Sequence, residues 1–277
     1  MQECRNAPLR AFLRSLAKPA REMRDRTIAV LGVGQLGSLL ADLLSAAGAT
    51  VVPIRRSDRI DASSLPDRVI VAVGEDDLAP ALCSLPAAWK DRVVLVQNEL
   101  VPDQWLAHGV VDPTVAIVWF EKKRDRAARV VLPTPVAGPW SGELAGLLSA
   151  AGLPATAIDG ALLRPSLLDK NVYILVSNLA GLVAPAGTTT GQLLELPLLE
   201  TTSRVFADVL RVESARLGLP LDEDTASAQM MRAFAADPDH VAAGRSAPAR
   251  LHRTLARAEQ LGIEVPELVR IQKRAMS

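Results

Sequence analysis

The chain has 277 residues, enough for two modest hydrophobic cores, and its 49% apolar content is that of a globular chain rather than a disordered one. Lys plus Arg and Asp plus Glu balance at 31 each, and no basic stripe interleaved with aromatics is present, so a nucleic-acid partner is not expected. Cys4 and Cys83 lie far apart and form no disulfide framework, which makes a reducing cytoplasm the expected compartment. His108, His240 and His252 lack the spacing of metal ligands, and no apolar run approaches about 18 residues, so neither a metal site nor a membrane span is expected.

Residues 1–25 read as an N-terminal extension. Arg5, Arg10, Arg14, Lys18, Arg21 and Arg24 alternate with Leu9, Phe12, Leu13 and Leu16, the pattern of a short basic amphipathic helix. The continuous apolar core of a secretory signal is missing, and Glu3, Glu22 and Asp25 weigh against an organelle presequence.

From there the chain alternates. Thr27–Leu31 is an apolar run ending in glycine, as a buried parallel strand should be. Gly37–Ala47 has helical periodicity through Leu39, Leu40, Leu43 and Leu44 and is stopped by Gly48. Strands are predicted at Thr50–Ile54, Val69–Val73, Val93–Val96, Val115–Phe120, Ala128–Leu132 and Ala155–Ile158, with a helix over Glu143–Ala151. Past Gly160 only helical signals remain: Asp169–Val183, Leu198–Leu217, Thr225–Ala235, Pro248–Leu261 and a short final helix. The predicted fold class is α/β: a doubly wound Rossmann sheet over residues 26–160, then an all-helical domain over 161–277, with the active site expected between them.

The segment Gly32-Val33-Gly34-Gln35-Leu36-Gly37 matches G-x-G-x-x-G directly after a strand and at the opening of a helix, the context a dinucleotide site requires. Gly32 permits the tight turn, Gly34 lets backbone approach a pyrophosphate, and Gly37 allows the helix to pack on the sheet. Free N–H groups at the helix start then meet the phosphates. The end of the second strand reads V-V-P-I-R-R-S-D. Arg55 and Arg56 stand where an NAD site usually offers an acid, and Ser57 adds a donor. Guanidinium groups suit a 2′-phosphate, so the expected cofactor is NADP(H). Asp58 is the competing ribose acid, but it falls three residues late.

With these motifs the chain resembles the ketopantoate reductase (2-dehydropantoate 2-reductase) family from Arg26 onward. The likeness is carried by the glycine motif, the two arginines, V-V-L-V-Q-N at Val93–Asn98, and L-L-D-K-N-V-Y-I-L-V-S-N-L-A at Leu167–Ala180. It implies an oxidoreductase in which NADPH reduces a small 2-keto acid to a 2-hydroxy acid, in a homodimer. By the resemblance Lys170 protonates the carbonyl oxygen, Ser177 and Asn178 orient the substrate, and Asn98 lies near nicotinamide and substrate. Helical spacing puts Lys170, Ile174, Ser177, Asn178 and Gly181 on one side of an apolar helix. A buried lysine there has a lowered pKa and suits proton donation near neutral pH.

The chain also departs from the family. Ile174 replaces an asparagine, Glu99 and Leu100 follow Asn98 in place of glycines, and V-G-E-D-D stands where a lysine is expected near Gly74. The C-terminal family acid falls near Ser246, in G-R-S-A-P-A-R-L-H-R, and no Asp or Glu lies between His240 and Ala258. Arg245, Arg250 and His252 offer an anion contact or a solvated helix face. Three readings stay open: a keto-acid reductase with an altered pocket, a catalytically degenerate NADP(H)-binding sensor or interaction protein, and an imine- or opine-type dehydrogenase.

Overall fold

The structure, a computed structural model, describes residues 23–122 and 127–275. The basic extension therefore lies outside the described residues up to Arg21. The chain divides between Leu163 and Arg164 into two compact units.

The first unit is a seven-stranded sheet. Its strands are β1 (Thr27–Leu31), β2 (Thr50–Ile54), β3 (Arg68–Val71), β4 (Val93–Leu95), β5 (Thr114–Ala116), β8 (Thr134–Ala137) and β9 (Ala155–Ala157), in the order β2-β1-β3-β4-β5-β8-β9. β1 to β5 pair in parallel, β8 runs antiparallel to β5, and β9 follows β8 in parallel. Ile28 and Val30 join one core with Leu40 and Leu44 of α1 (Gln35–Ala46) and, past α2 (Leu78–Ser84) and α3 (Pro102–Leu106), with Leu144, Leu147 and Leu148 of α4 (Ser141–Ala150). The alternate residues Ala29, Leu31, Val69, Val71, Val93 and Leu95 are buried as well, so β1, β3 and β4 are covered on both faces, while the edge strands β2 and β9 are largely exposed. That double burial is why β1, β3 and β4 read as continuous apolar runs. The arrangement is a Rossmann-type doubly wound sheet, as the alternation predicted.

Two strand readings change. The run Val115–Phe120 splits. Its first part is β5, while Phe120–Glu121 (β6) pairs antiparallel with Arg129–Val130 (β7) in a separate ribbon. β8 gave no signal because Pro135 sits inside a four-residue strand, and a proline in a run argues against an interior strand. Pro135 still accepts the Ile117 N–H at 2.9 Å, and the hydroxyl of buried Thr134 accepts the Trp119 N–H at 3.1 Å.

The second unit is helical: α5 (Leu163–Gly181), α6 (Leu198–Leu217), α7 (Glu223–Ala236), α8 (Ala247–Leu261) and α9 (Pro266–Ala275). α5 starts several residues before the predicted Asp169. It is buried nearly all round from Lys170 to Gly181, apart from Ile174, as a central helix should be. α6 and α8 end on Gly218 and Gly262 in the left-handed conformation. Asp208, buried on α6, accepts the N–H groups of Glu267 and Leu268 at 2.8 and 3.1 Å and so caps the start of α9 from another helix. Asn171 of α5 bonds Glu213 of α6 at 2.8 Å, and Arg216 holds both Glu213 oxygens at 2.7 Å. This charged cluster is paired inside the unit, which is what its burial requires.

Among the described residues no helix is long and apolar enough to cross a membrane, and no group of three or more His, Cys, Asp or Glu could hold a metal.

Candidate functional site

In the first unit the chain runs from β1 outward to β2, then returns to the other side of β1 as β3. That reversal opens a crevice at the carboxyl ends of the strands, where open α/β sheets bind ligands. A cavity of about 850 Å3 lies there, between Gly32–Gly34 and the segments after β2 and β3.

The three motif glycines answer to different demands. Gly32 has φ +94°, and a Cβ on it would stand 2.8 Å from the Ala72 carbonyl oxygen. On Gly37 a Cβ would stand 1.9 Å from the Gly32 oxygen, so α1 can lie this close to β1 only with glycine there. Around Gly34 a Cβ would meet nothing within 4 Å. Gly34 stands at the N-cap of α1, where glycine is favoured, and its open surroundings leave room for a phosphate on that backbone. The first helical bond of α1 runs from Ser38 N–H to Gly34 O at 2.8 Å, leaving the N–H groups of Gln35 and Leu36 ahead of it. Val33 lines the cavity, while Leu36 turns its side chain to the core. These features fit a dinucleotide pyrophosphate.

Arg55 and Arg56 both line the cavity, with Arg59, which sequence reasoning did not single out. Asp58 closes the turn after β2: its Oδ2 accepts the Arg55 N–H at 2.8 Å, and its own N–H bonds Arg55 O at 3.0 Å. It is therefore occupied by the turn that presents the arginines. Arg56 is 85% exposed and donates from Nη2 to Asp77 Oδ2 at 2.5 Å. Pro80, Ala81 and Ser84 of α2 (Leu78–Ser84) supply a small-residue wall of a kind that suits a purine ring.

At the ends of β3 and β4, Gln97 Nε2 donates to Val71 O at 2.5 Å and Asn98 Nδ2 lies 3.4 Å from Glu75 Oε1. Glu75 is the acid that follows Gly74; the run of acids in V-G-E-D-D was its only trace in the sequence. Glu99 has φ 57° and is 1% exposed. The backbone after Asn98 thus keeps a left-handed turn that favours glycine, although a glutamate occupies it.

The second unit holds the remaining predicted residues on α5. Lys170 is 8% exposed, with Nζ 5.2 Å from the centroid of the Tyr173 ring, a cation–π contact within its own helix. Burial pushes the neighbouring Asp169 carboxyl up to about 6, against the opposing pull of Arg232. Ser177 donates to Ile174 O at 3.2 Å and Asn178 Nδ2 to the same carbonyl at 2.8 Å. Asn178 Oδ1 accepts from Arg250 Nη1 at 3.2 Å, and that nitrogen also lies 2.5 Å from Ser246 Oγ. Arg250 is 6% exposed, while Arg245 and His252 are exposed. Of Arg245, Arg250 and His252, Arg250 is the one drawn into the fold beside Asn178. A Cβ on Gly181 would stand 2.7 Å from the Ala243 nitrogen, so glycine there lets the chain before α8 lie against α5.

No family model matches the sequence, and no curated protein does. Solved structures do match. One is a ketopantoate reductase of the PanE/ApbA family from Ralstonia eutropha, 18% identical, with 90% of this chain and 97% of that one covered and a TM-score of 0.67. Another is a dimeric ketopantoate reductase from Staphylococcus aureus, at 16% identity, 90% and 97% coverage and a TM-score of 0.62. A third is a D-mandelate dehydrogenase in a ternary structure with NADH and anilino(oxo)acetate, at 13% identity, 90% and 97% coverage and a TM-score of 0.64. At these identities the likeness establishes the fold. It extends over both units.

Proposed function

We propose that this chain is a divergent member of the ketopantoate reductase family, an NADP(H)-dependent oxidoreductase that reduces a small 2-keto acid with an altered substrate pocket. The observation that carries the reading is the crevice after β1 to β3. There the open backbone of Gly34, at the start of α1, shares one cavity with Arg55, Arg56 and Arg59. The backbone from Gly32 to Gly37 holds the pyrophosphate, and the arginines hold the 2′-phosphate through charge-assisted bonds. The solved relatives of this fold include ketopantoate reductases and a dehydrogenase that carries NADH, which supports a nicotinamide cofactor of either kind.

When bound, such a cofactor supplies a hydride for a carbonyl carbon. The chain's own residues do the rest. Lys170 Nζ gives a proton to the carbonyl oxygen as that oxygen gains charge, which a positioned acid accelerates about 10²–10⁴-fold. Asn98 orients the substrate from the end of β4. Ser177 and Asn178 act from α5, Asn178 through the Arg250 guanidinium that it holds. A homodimer accords with the Staphylococcus aureus relative, which is dimeric; light scattering at micromolar concentration tests it.

One observation favours the sensor reading: the polar groups of Ser177 and Asn178 already bond within the protein. An NADPH-oxidation screen over keto acids, with and without amines, separates the readings. Turnover of a keto acid alone supports the reductase. Turnover only with an amine points to the imine-type reaction, and cofactor binding with no turnover anywhere points to the sensor.

A further inference from the structure

The geometry points to Asp77 as a second determinant of cofactor choice, one that opposes the arginines: it holds Arg56 while no 2′-phosphate is present and repels that phosphate once it binds. The inference rests on the cofactor reading proposed above.

Two carboxylates line the same cavity as the three arginines, and their situations differ. Asp58 is bonded to its own turn. Asp77, at the start of α2, makes no capping bond to that helix. Its carboxylate reaches instead to Arg56, twenty-one positions earlier in the chain. The pair is solvent-screened, with Arg56 85% and Asp77 46% exposed, so it is weak and easily exchanged.

A 2′-phosphate carries roughly −1.5 to −2 charges at neutral pH and matches the planar fork of a guanidinium. It takes Arg56 from the carboxylate. Asp77 is then left without its cation and beside a near-dianion. Two like unit charges about 5 Å apart in water cost roughly fourfold in affinity, and a near-dianion costs roughly tenfold. NADH has no such phosphate. It leaves the Arg56–Asp77 pair intact and meets no repulsion. Asp77 therefore narrows the gap between the two cofactors, and the preference is the arginine attraction less this repulsion.

The test uses the full chain and its Asp77→Asn variant, which keeps the side-chain shape and removes the charge. Asp77→Ala serves as a second variant should the first fold poorly. NADPH, NADH, 2′,5′-ADP and 5′-AMP are titrated by calorimetry at low and high salt. The expected result is roughly tenfold tighter binding of NADPH and 2′,5′-ADP at low salt, less at high salt, with NADH and 5′-AMP moved under about twofold. An unchanged NADPH-to-NADH ratio overturns the proposal. So does a weakened NADH, which would make Asp77 a ribose ligand. If the unmodified protein binds neither cofactor, the cofactor reading itself falls and takes this inference with it; binding with an unmoved ratio fells the role of Asp77 alone.

Discussion

Arg250 Nη1 donates to Asn178 Oδ1 at 3.2 Å, joining α8 to α5 through two buried side chains. A guanidinium in such a place depends on its acceptors. Asn178→Leu should destabilise the protein by about 1–3 kcal/mol, the usual cost of removing one partner of a buried charged donor. Chemical denaturation checks this. A midpoint that does not move would show that the bond carries no stability.

The glycine motif separates packing from binding. Gly37→Ala puts a methyl group 1.9 Å from the Gly32 oxygen, so the helix must shift. A loss of about 1–3 kcal/mol is expected, as for other overpacked sites. Gly34→Ala meets no protein atom within 4 Å, so its melting temperature should stay near that of the unmodified chain. Its cofactor affinity should nonetheless fall, because the methyl group occupies the phosphate approach. Melting curves and cofactor titrations of both variants read the two effects independently. A Gly34→Ala protein that binds cofactor normally would remove the phosphate from that position.

Lys170 is buried beside Tyr173, which bears on its proposed role as proton donor. Lys170→Ala should cut turnover of whichever substrate the screen finds by about 10²–10⁴-fold and leave NADPH affinity unchanged. Lys170→Arg should fail to rescue, since a guanidinium holds its proton near neutral pH. Single-turnover kinetics decide it: an Ala variant retaining more than about half its rate has lost no positioned acid.

Asp169 gives a pH signature. Its carboxyl is raised from 3.8 to about 6, chiefly by burial, so the folded state favours the protonated form. Its contribution to stability is complete below the unfolded value and is lost as the pH rises through about 6. Asp169→Asn should flatten that part of the stability profile and leave the protein more stable at pH 7 than the unmodified chain. Denaturation midpoints from pH 4 to 8 supply the comparison, and parallel profiles would refute the assignment.

Some of this was written in local pattern. Residues Thr27–Leu31 and Thr50–Ile54 form strands over the predicted spans, and Leu198–Leu217 forms the predicted helix; burial of β1 on both faces and of one stripe of the helix dictates which residue types recur there, while β2 is a largely exposed edge strand. The motif Gly32 to Gly37 and the pair Arg55–Arg56 are contiguous, so the chain order alone placed them at one strand end and one helix start. What depends on distant parts of the chain was out of reach. Pro135 concealed β8, an interior strand made by pairing with β5 and β9. Glu75 and Asn98 are brought together by adjacent strands, Asp77 meets Arg56 across the crevice, and Arg250 turns inward to Asn178 while Arg245 and His252 stay in solvent. Propensity and periodicity are properties of a few neighbouring residues. Which charge is buried, and against which partner, is decided only when segments far apart in sequence pack, since burial and partner together set the cost of that charge.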